Sequence, residues 1–190
     1  MVAHGHDLFD PLGIRPTIPV RSSRYGDTRL PYTAPSTVEE ACRTLESSPD
    51  ARVFAGSTDI MPQARAGRPL PETLVDLKHI PRLMQITVDG SRWVIGAATP
   101  AVRLTRESGL REDFPGLVES AALIGSDQIQ TRASLGGNLC NASPAADTGP
   151  ALVVNDVQAV IASTRGERPL PARGGPRGRG RTAQQRGQLH

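Results

Sequence analysis

Apolar residues in this chain come in short runs between turn residues, with helical spacing in only a few places. In PSTVEEACRTL, Val38, Ala41, Cys42 and Leu45 fall on one helical face, and Ser36 followed by Glu39 forms a capping box ahead of them. That pattern predicts a helix of about ten residues. ARVFAG and TLVDL are apolar runs bounded by turn residues, which predicts two buried strands on either side of the segment from Ser57 to Arg68. Strand, crossover and strand in this order make a small parallel unit. ITVDGSRWVIGA sets Asp89-Gly90 between two β-rich runs and predicts an antiparallel hairpin. PAVRLTRES and FPGLVESAALIG return to helical spacing, with Leu117, Ala121 and Ile124 on one side of the second, and AVIAS is a further short strand.

The two ends carry no such pattern. Residues 1–30 mix Gly, Pro, Arg and Asp without a sustained period and are expected to form an irregular arm. From Thr164 onward Arg, Gly and Pro dominate, so 164–190 is expected to be a disordered tail that builds no core.

Composition narrows the class. With 190 residues and 37% hydrophobic content the chain can bury one ordinary core or two small ones. No apolar run approaches the roughly 20 residues needed to span a bilayer. The start, MVAHGHDLFDPLG, lacks the charged-then-apolar order of a signal peptide, so a cytoplasmic location is expected. Cys42 and Cys140 are far apart and show no paired ligand spacing, which argues against a zinc site or a disulfide framework. The net charge of +3 is unevenly placed: from Thr164 onward seven Arg and one Glu give +6, leaving the remainder at −3. The tail therefore offers an electrostatic nucleic-acid reading as one alternative. An aromatic content of 3% supplies no stacking platform for it. Lys78 is the only lysine, beside 21 arginines, which points to Arg-rich usage rather than to a phosphate site at each Arg.

Two segments carry candidate chemistry. In FAGSTDIMPQ a buried strand runs into Gly56, Ser57, Thr58 and Asp59, then into a helical turn that admits Pro62 early. Such a turn exposes several backbone N–H groups together, which suits an anion, and glycine lets a phosphate come close. The competing reading is an ordinary strand-to-helix connection with a Ser or Asp cap. In RASLGGNLCNASPAADTGPAL, Gly136 and Gly137 permit φ > 0 and close approach by a bulky group. Ser143-Pro144 reads as a helix cap with proline at the first helical position. Asn138, Asn141 and Ser143 offer donors and acceptors. Asp147 can accept from sugar-like hydroxyls or complement a helix start. A tight structural turn is the alternative here.

Taken together, AGSTDI and ASLGGNLCNASPAAD resemble the FAD-binding (medium) subunit of the molybdenum hydroxylases, the family of xanthine dehydrogenase, aerobic carbon monoxide dehydrogenase and 4-hydroxybenzoyl-CoA reductase. LVDLKHIPRLMQI, WVIGAATP and IGSDQIQTRAS between them are similar in order and spacing, and the resemblance runs from about Tyr32 to Ser163. It implies an α+β, two-subdomain FAD-binding fold of the PCMH type, a small parallel βαβ lobe over 31–85 plus a larger mixed or antiparallel lobe over 86–163, with FAD between them. By the same resemblance, backbone amides of Ala55, Gly56, Ser57, Thr58, Asp59 and Ile60 would hold the FAD diphosphate. Ser134, Gly137, Asn138, Asn141, Ser143 and Asp147 would reach the rest of the cofactor. No acid–base residue and no metal ligand is expected. Electrons would arrive from a molybdopterin subunit through [2Fe-2S] clusters and leave FAD for NAD, oxygen or another acceptor. Iron–sulfur and molybdopterin subunits are thus the implied partners. The family continues into a third, C-terminal domain, and GRGRTAQQRGQLH keeps only an echo of the family register. A truncated or frameshifted product, a remnant without activity, is the second alternative.

Overall fold

The computed structural model describes residues 32–143 and 145–174; the expected N-terminal arm and the segment from 175 onward lie outside the described residues. Three parallel strands start the fold: β1 (Tyr32–Thr33), β2 (Ala51–Phe54) and β3 (Thr73–Asp76), in the order β1-β3-β2. Val53 lies opposite Val75 and Phe54 opposite Asp76. The parallel unit expected from ARVFAG and TLVDL is therefore present, with β1 added on the far edge of β3.

Helix α1 (Val38–Ser47) covers this sheet with the predicted face, since Val38, Ala41, Cys42 and Leu45 are buried. Burying a Val or Leu side chain contributes roughly 1.5–3 kcal/mol, so this stripe is what fixes the helix to the sheet. The cap sits one residue later than Ser36. The Thr37 hydroxyl accepts from the Glu40 N–H at 3.1 Å, and the Glu40 carboxylate accepts from the Ser36 N–H at 2.9 Å. Helix α2 (Ile60–Arg65) then carries the chain from β2 back toward β3.

The Asp89-Gly90 turn joins β4 (Ile86–Asp89) to β5 (Arg92–Ile95) in an antiparallel pair, with Gly90 at φ 60°. A run of short helices follows: α3 (Ala101–Arg106), α4 (Ser108–Asp113), α5 (Pro115–Ala122) and α6 (Asp127–Gln130). Next come α7 (Leu135–Asn141) and α8 (Thr148–Val154). Leu104, Leu110, Val118 and Ala121 are almost fully buried between the helices and form a second core with Leu135, Leu139 and Leu152. The first core lies under α1 and takes Val75, Leu77 and Ile80.

An antiparallel hairpin links the two cores. Strand β6 (Gln158–Ser163) pairs along its length with β7 (Gly166–Pro171). Ala162 enters the first core, Ala172 the second, and Ala159 packs against the second. Arg82 also pairs with Glu167 across this junction. Part of the segment expected as tail, 164–174, is thus paired strand and turn. Pro169 and Pro171 are tolerated because, among the described residues, β7 is paired on one side only, with β6.

Candidate functional site

The two chemistry-bearing segments meet beyond the carboxyl end of the parallel sheet, where β2 stops at Phe54. Open α/β sheets place ligands at this end, because the connections leaving the strands gather there. A cleft of about 410 Å³ opens at that point. One wall is Ala55, Gly56, Ser57, Thr58, Asp59 and Ile60; the other contains Ser134, Gly137, Asn138, Asn141 and Ser143. Asp147 stands outside the lining, exposed, at the start of α8.

In the first wall the backbone carries the available chemistry. None of the N–H groups of Gly56, Ser57, Thr58, Asp59 and Ile60 donates to another group among the described residues. Ser57 holds φ 61°, the left-handed region that non-glycine residues seldom occupy. A left-handed residue just before a helix start turns successive amides toward one concavity, which is how an anion nest is built. Gly56 is demanded by packing: a Cβ there would lie 1.9 Å from the Arg132 carbonyl oxygen. The two loops touch backbone to backbone at this glycine.

The second wall is built in the opposite way. Its two glycines lie inside α7 and neither has positive φ, so the bare turn expected from Gly136-Gly137 is a helix. Gly136 is needed for approach, because its Cβ would sit 2.6 Å from the Ala97 carbonyl oxygen. Its N–H donates to that same oxygen at 3.1 Å. The Gly137 N–H donates to the Ser134 hydroxyl at 3.1 Å, and the Asn138 N–H to the Ser134 carbonyl at 2.9 Å. These amides are spent within the fold. Side chains remain: Asn138 Oδ1 is buried without a hydrogen-bond partner among the described residues. A Cβ on Gly137 would meet only the Ser134 hydroxyl, at 3.2 Å.

Of the expected Ser143-Pro144 helix cap, Pro144 lies outside the described residues. The Ser143 hydroxyl accepts from the Ala145 N–H at 3.3 Å, and the helix begins later, at Thr148. A turn therefore separates α7 from α8, and Ala142 ends α7 in the left-handed region. Thr148 Oγ1, buried in the first turn of α8, is a second polar atom without a partner among the described residues.

Asn141 ties the walls together. Its Nδ2 donates to Asp59 Oδ1 at 3.1 Å, and its Oδ1 accepts from Gln63 Nε2 at 3.5 Å. Gln63 lies at the end of the quoted FAGSTDIMPQ, yet only the folded register shows that it faces the second segment. The lining also contains Ile124, read from spacing only as part of a helix face, and Ile129, which spacing did not single out. Desolvation pushes the Cys140 thiol, also in the lining, up to about 12, so it stays protonated at neutral pH.

Charge in the cleft is sparse. Among the described residues Asp59 is the one charged residue of the lining, and its carboxylate already accepts from Asn141. A charge cluster adjoins the first loop at the Ala55 carbonyl oxygen, which accepts from Lys78 Nζ at 2.9 Å. Asp76, 4% exposed, accepts from the Tyr32 hydroxyl at 2.7 Å and from Lys78 Nζ at 2.6 Å. Burial alone would raise the Asp76 carboxyl, but hydrogen bonds from Lys78 and Tyr32 outweigh it and hold it below the usual carboxylate range. The donor set of the cleft fits a ligand with an anionic group and a polar remainder: unpartnered amides on one wall, an unpartnered carbonyl and small residues on the other. Among the described residues no cluster of three metal-ligating side chains is present.

Known proteins share both the sequence and the shape of this chain. The family described as the FAD binding domain in molybdopterin dehydrogenase matches residues 24–189. Subunit alpha of the 6-hydroxypseudooxynicotine dehydrogenase complex of Paenarthrobacter nicotinovorans is 33% identical over 141 residues, covering 74% of this chain and 48% of that protein. The xanthine dehydrogenase FAD-binding subunit of Escherichia coli O157:H7 is 32% identical over 154 residues, covering 80% and 52%. Among solved structures, carbon monoxide dehydrogenase from Hydrogenophaga pseudoflava superposes with a TM-score of 0.82 at 30% identity, over 85% of this chain and 57% of that one. The chain spans about half the length of the curated relatives it matches.

Proposed function

The chain belongs to the family of FAD-binding domains in molybdopterin dehydrogenases, and from that premise we propose that it serves as the FAD-binding part of a molybdenum hydroxylase. In this reading it passes electrons from iron–sulfur clusters, by way of FAD, to NAD, oxygen or another acceptor. The observation that carries the reading is the row of unpartnered amides from Gly56 to Ile60, set opposite Asn138 across one cleft. The amides of Ala55 to Ile60 hold the diphosphate, where donors without a fixed counter-charge are what an anion needs. Ser134, Gly137, Asn138, Asn141 and Ser143 meet the remainder. Gly137 keeps the wall thin, Asn138 offers its free carbonyl, and Asn141 keeps the two loops in register. Asp147, outside the lining, is within the same segment and would reach FAD only at the cleft's edge.

When bound, FAD supplies the redox chemistry; the chain's residues bind it, orient it and shield it. Two cysteines, one in each core or wall, leave no ligand set for an iron–sulfur cluster among the described residues. Iron–sulfur and molybdopterin subunits are the partners this reading implies. No helix among the described residues is long and apolar enough to cross a membrane.

The test is the visible spectrum and flavin stoichiometry of the purified chain after incubation with FAD. Near-stoichiometric retention, with the flavin absorption perturbed from that of free FAD, is the expected result. A cooperatively folded chain that retains no flavin would sink the reading.

A further inference from the structure

Beside the first loop, the chain's single lysine, which is not itself in the cleft lining, makes a contact that the cofactor reading leaves unexplained. Lys78 Nζ donates to the Ala55 carbonyl oxygen at 2.9 Å and to Asp76 Oδ1 at 2.6 Å, and sits 4.4 Å from the centroid of the Phe54 ring. Asp76 is fixed in turn by the Tyr32 hydroxyl at 2.7 Å and by the Lys78 N–H at 3.0 Å. The strand register makes this possible. Phe54 lies opposite Asp76, so the last residues of β2 and β3 deliver the ring and the carboxylate side by side, just where the loop departs. We propose that Lys78 is a positioning residue for the diphosphate loop, setting and polarising the Ala55–Gly56 peptide so that the loop's amides bind the anionic part of FAD.

The argument runs through one peptide group. The Ala55 carbonyl and the Gly56 N–H belong to the same planar unit, and no peptide among the described residues is cis. In a trans unit the N–H points opposite to the carbonyl, so anchoring the oxygen on Lys78 aims the Gly56 N–H away from Lys78. Lys78 is not in the cleft lining, whereas Ala55 and Gly56 are. A charge-assisted bond to the oxygen also draws electron density from the nitrogen and makes the N–H a stronger donor. Lys78 is the one cation that hydrogen-bonds the backbone of this loop among the described residues. It acts where the lining itself holds no basic side chain and carries Asp59. A compact ammonium suits this position, since it points donors at a carbonyl and a carboxylate while resting on an aromatic face.

This inference rests on the FAD reading, and the experiment separates the two. Dissociation constants for FAD and for ADP, which has the diphosphate without the flavin, are measured by titration of the full chain as wild type, Lys78→Met and Lys78→Arg. Thermal unfolding of each apo variant is followed in parallel. The expected result is a loss of about tenfold or more for both ligands in Lys78→Met, with recovery of most of it in Lys78→Arg and little change in apo unfolding. Wild-type affinity in Lys78→Met would overturn the proposal, and so would an equal loss in both variants, which would make the shape of Lys78 rather than its charge the cause. Should Lys78→Met fail to fold, acetylation of the folded wild-type chain decides, because Lys78 is its only lysine. Weakened FAD binding in protein acetylated at Lys78 supports the proposal, and unchanged binding overturns it. A wild-type chain that binds no FAD would instead remove the reading beneath it.

Discussion

The segment Gly56–Ile60 and the segment Ser134–Asn141, helix α7 with its cap, face each other across one cleft and present opposite halves of the residue. In the first, the amides are unpartnered and the one charged side chain, Asp59, is occupied by Asn141. In the second, the amides of Gly136, Gly137 and Asn138 are consumed by Ala97 and Ser134, and a side-chain carbonyl on Asn138 is left over. Backbone donors suit a diphosphate, which accepts and never donates. Side chains suit the sugar and ring portions, which do both. The difference teaches that sequence changes in the first loop act by moving the backbone, while those in the second act at the surface they present.

The largest effect is expected at the point where the two loops touch. Gly56→Ala would put a Cβ 1.9 Å from the Arg132 carbonyl oxygen. Backbone cannot yield as a flexible side-chain tip can, so the loops must separate, at a cost of about 3 kcal/mol for overpacking of this kind. Thermal unfolding should show that loss, and FAD retention should disappear with it. A variant with unchanged unfolding and wild-type flavin content would show that the walls are not held together at Gly56.

Gly137→Val comes next and divides stability from binding. The added Cβ meets only the Ser134 hydroxyl at 3.2 Å, a group that can shift by a few tenths of an ångström. Inside a helix, valine is also a better residue than glycine by a few tenths of a kcal/mol. The fold should therefore survive while the branched side chain fills the cleft. FAD affinity is expected to fall at least about tenfold, equivalent to about 1.4 kcal/mol, with apo unfolding near wild type. Wild-type flavin affinity in this variant would remove the second wall from the site.

Features that depend on local pattern were legible before folding. The β2–β3 pair, the Asp89-Gly90 hairpin and the α1 face each follow from a few neighbouring residues. The α1 cap was displaced by one because PSTVEE holds two hydroxyls, Ser36 and Thr37, each followed three residues later by a glutamate, so the motif fits either register. Gly136 and Gly137 read as a turn because glycine is a poor helix former. Their helix exists because tertiary packing on Ala97 accepts nothing larger at Gly136. Strand β7 was hidden by Arg168, Pro169 and Pro171, since an edge strand tolerates residues that a central one would reject. The Lys78–Ala55 contact was invisible for a different reason. It spans 23 residues and depends on which residue of β3 faces Phe54. Its one sequence signal was compositional, a single lysine in a chain that otherwise uses arginine.

The smallest expected effect gives the finest test of the comparison. Ser57 pays for its φ of 61° with a left-handed strain of about 1 kcal/mol. Ser57→Gly removes that strain, but glycine loses about 0.5–1 kcal/mol more conformational entropy on folding. The two terms nearly cancel, so apo unfolding should hardly move. If the first loop binds through amides, the variant still presents every one of them in the same turn, and FAD affinity should stay within about twofold of wild type. If instead the Ser57 hydroxyl carries a contact to the diphosphate, affinity should drop by about tenfold to a hundredfold, since one charge-assisted hydrogen bond contributes roughly 1.5–3 kcal/mol. That drop, with unfolding unchanged, would end the division between a backbone wall and a side-chain wall, because both loops would then be reading the cofactor with side chains.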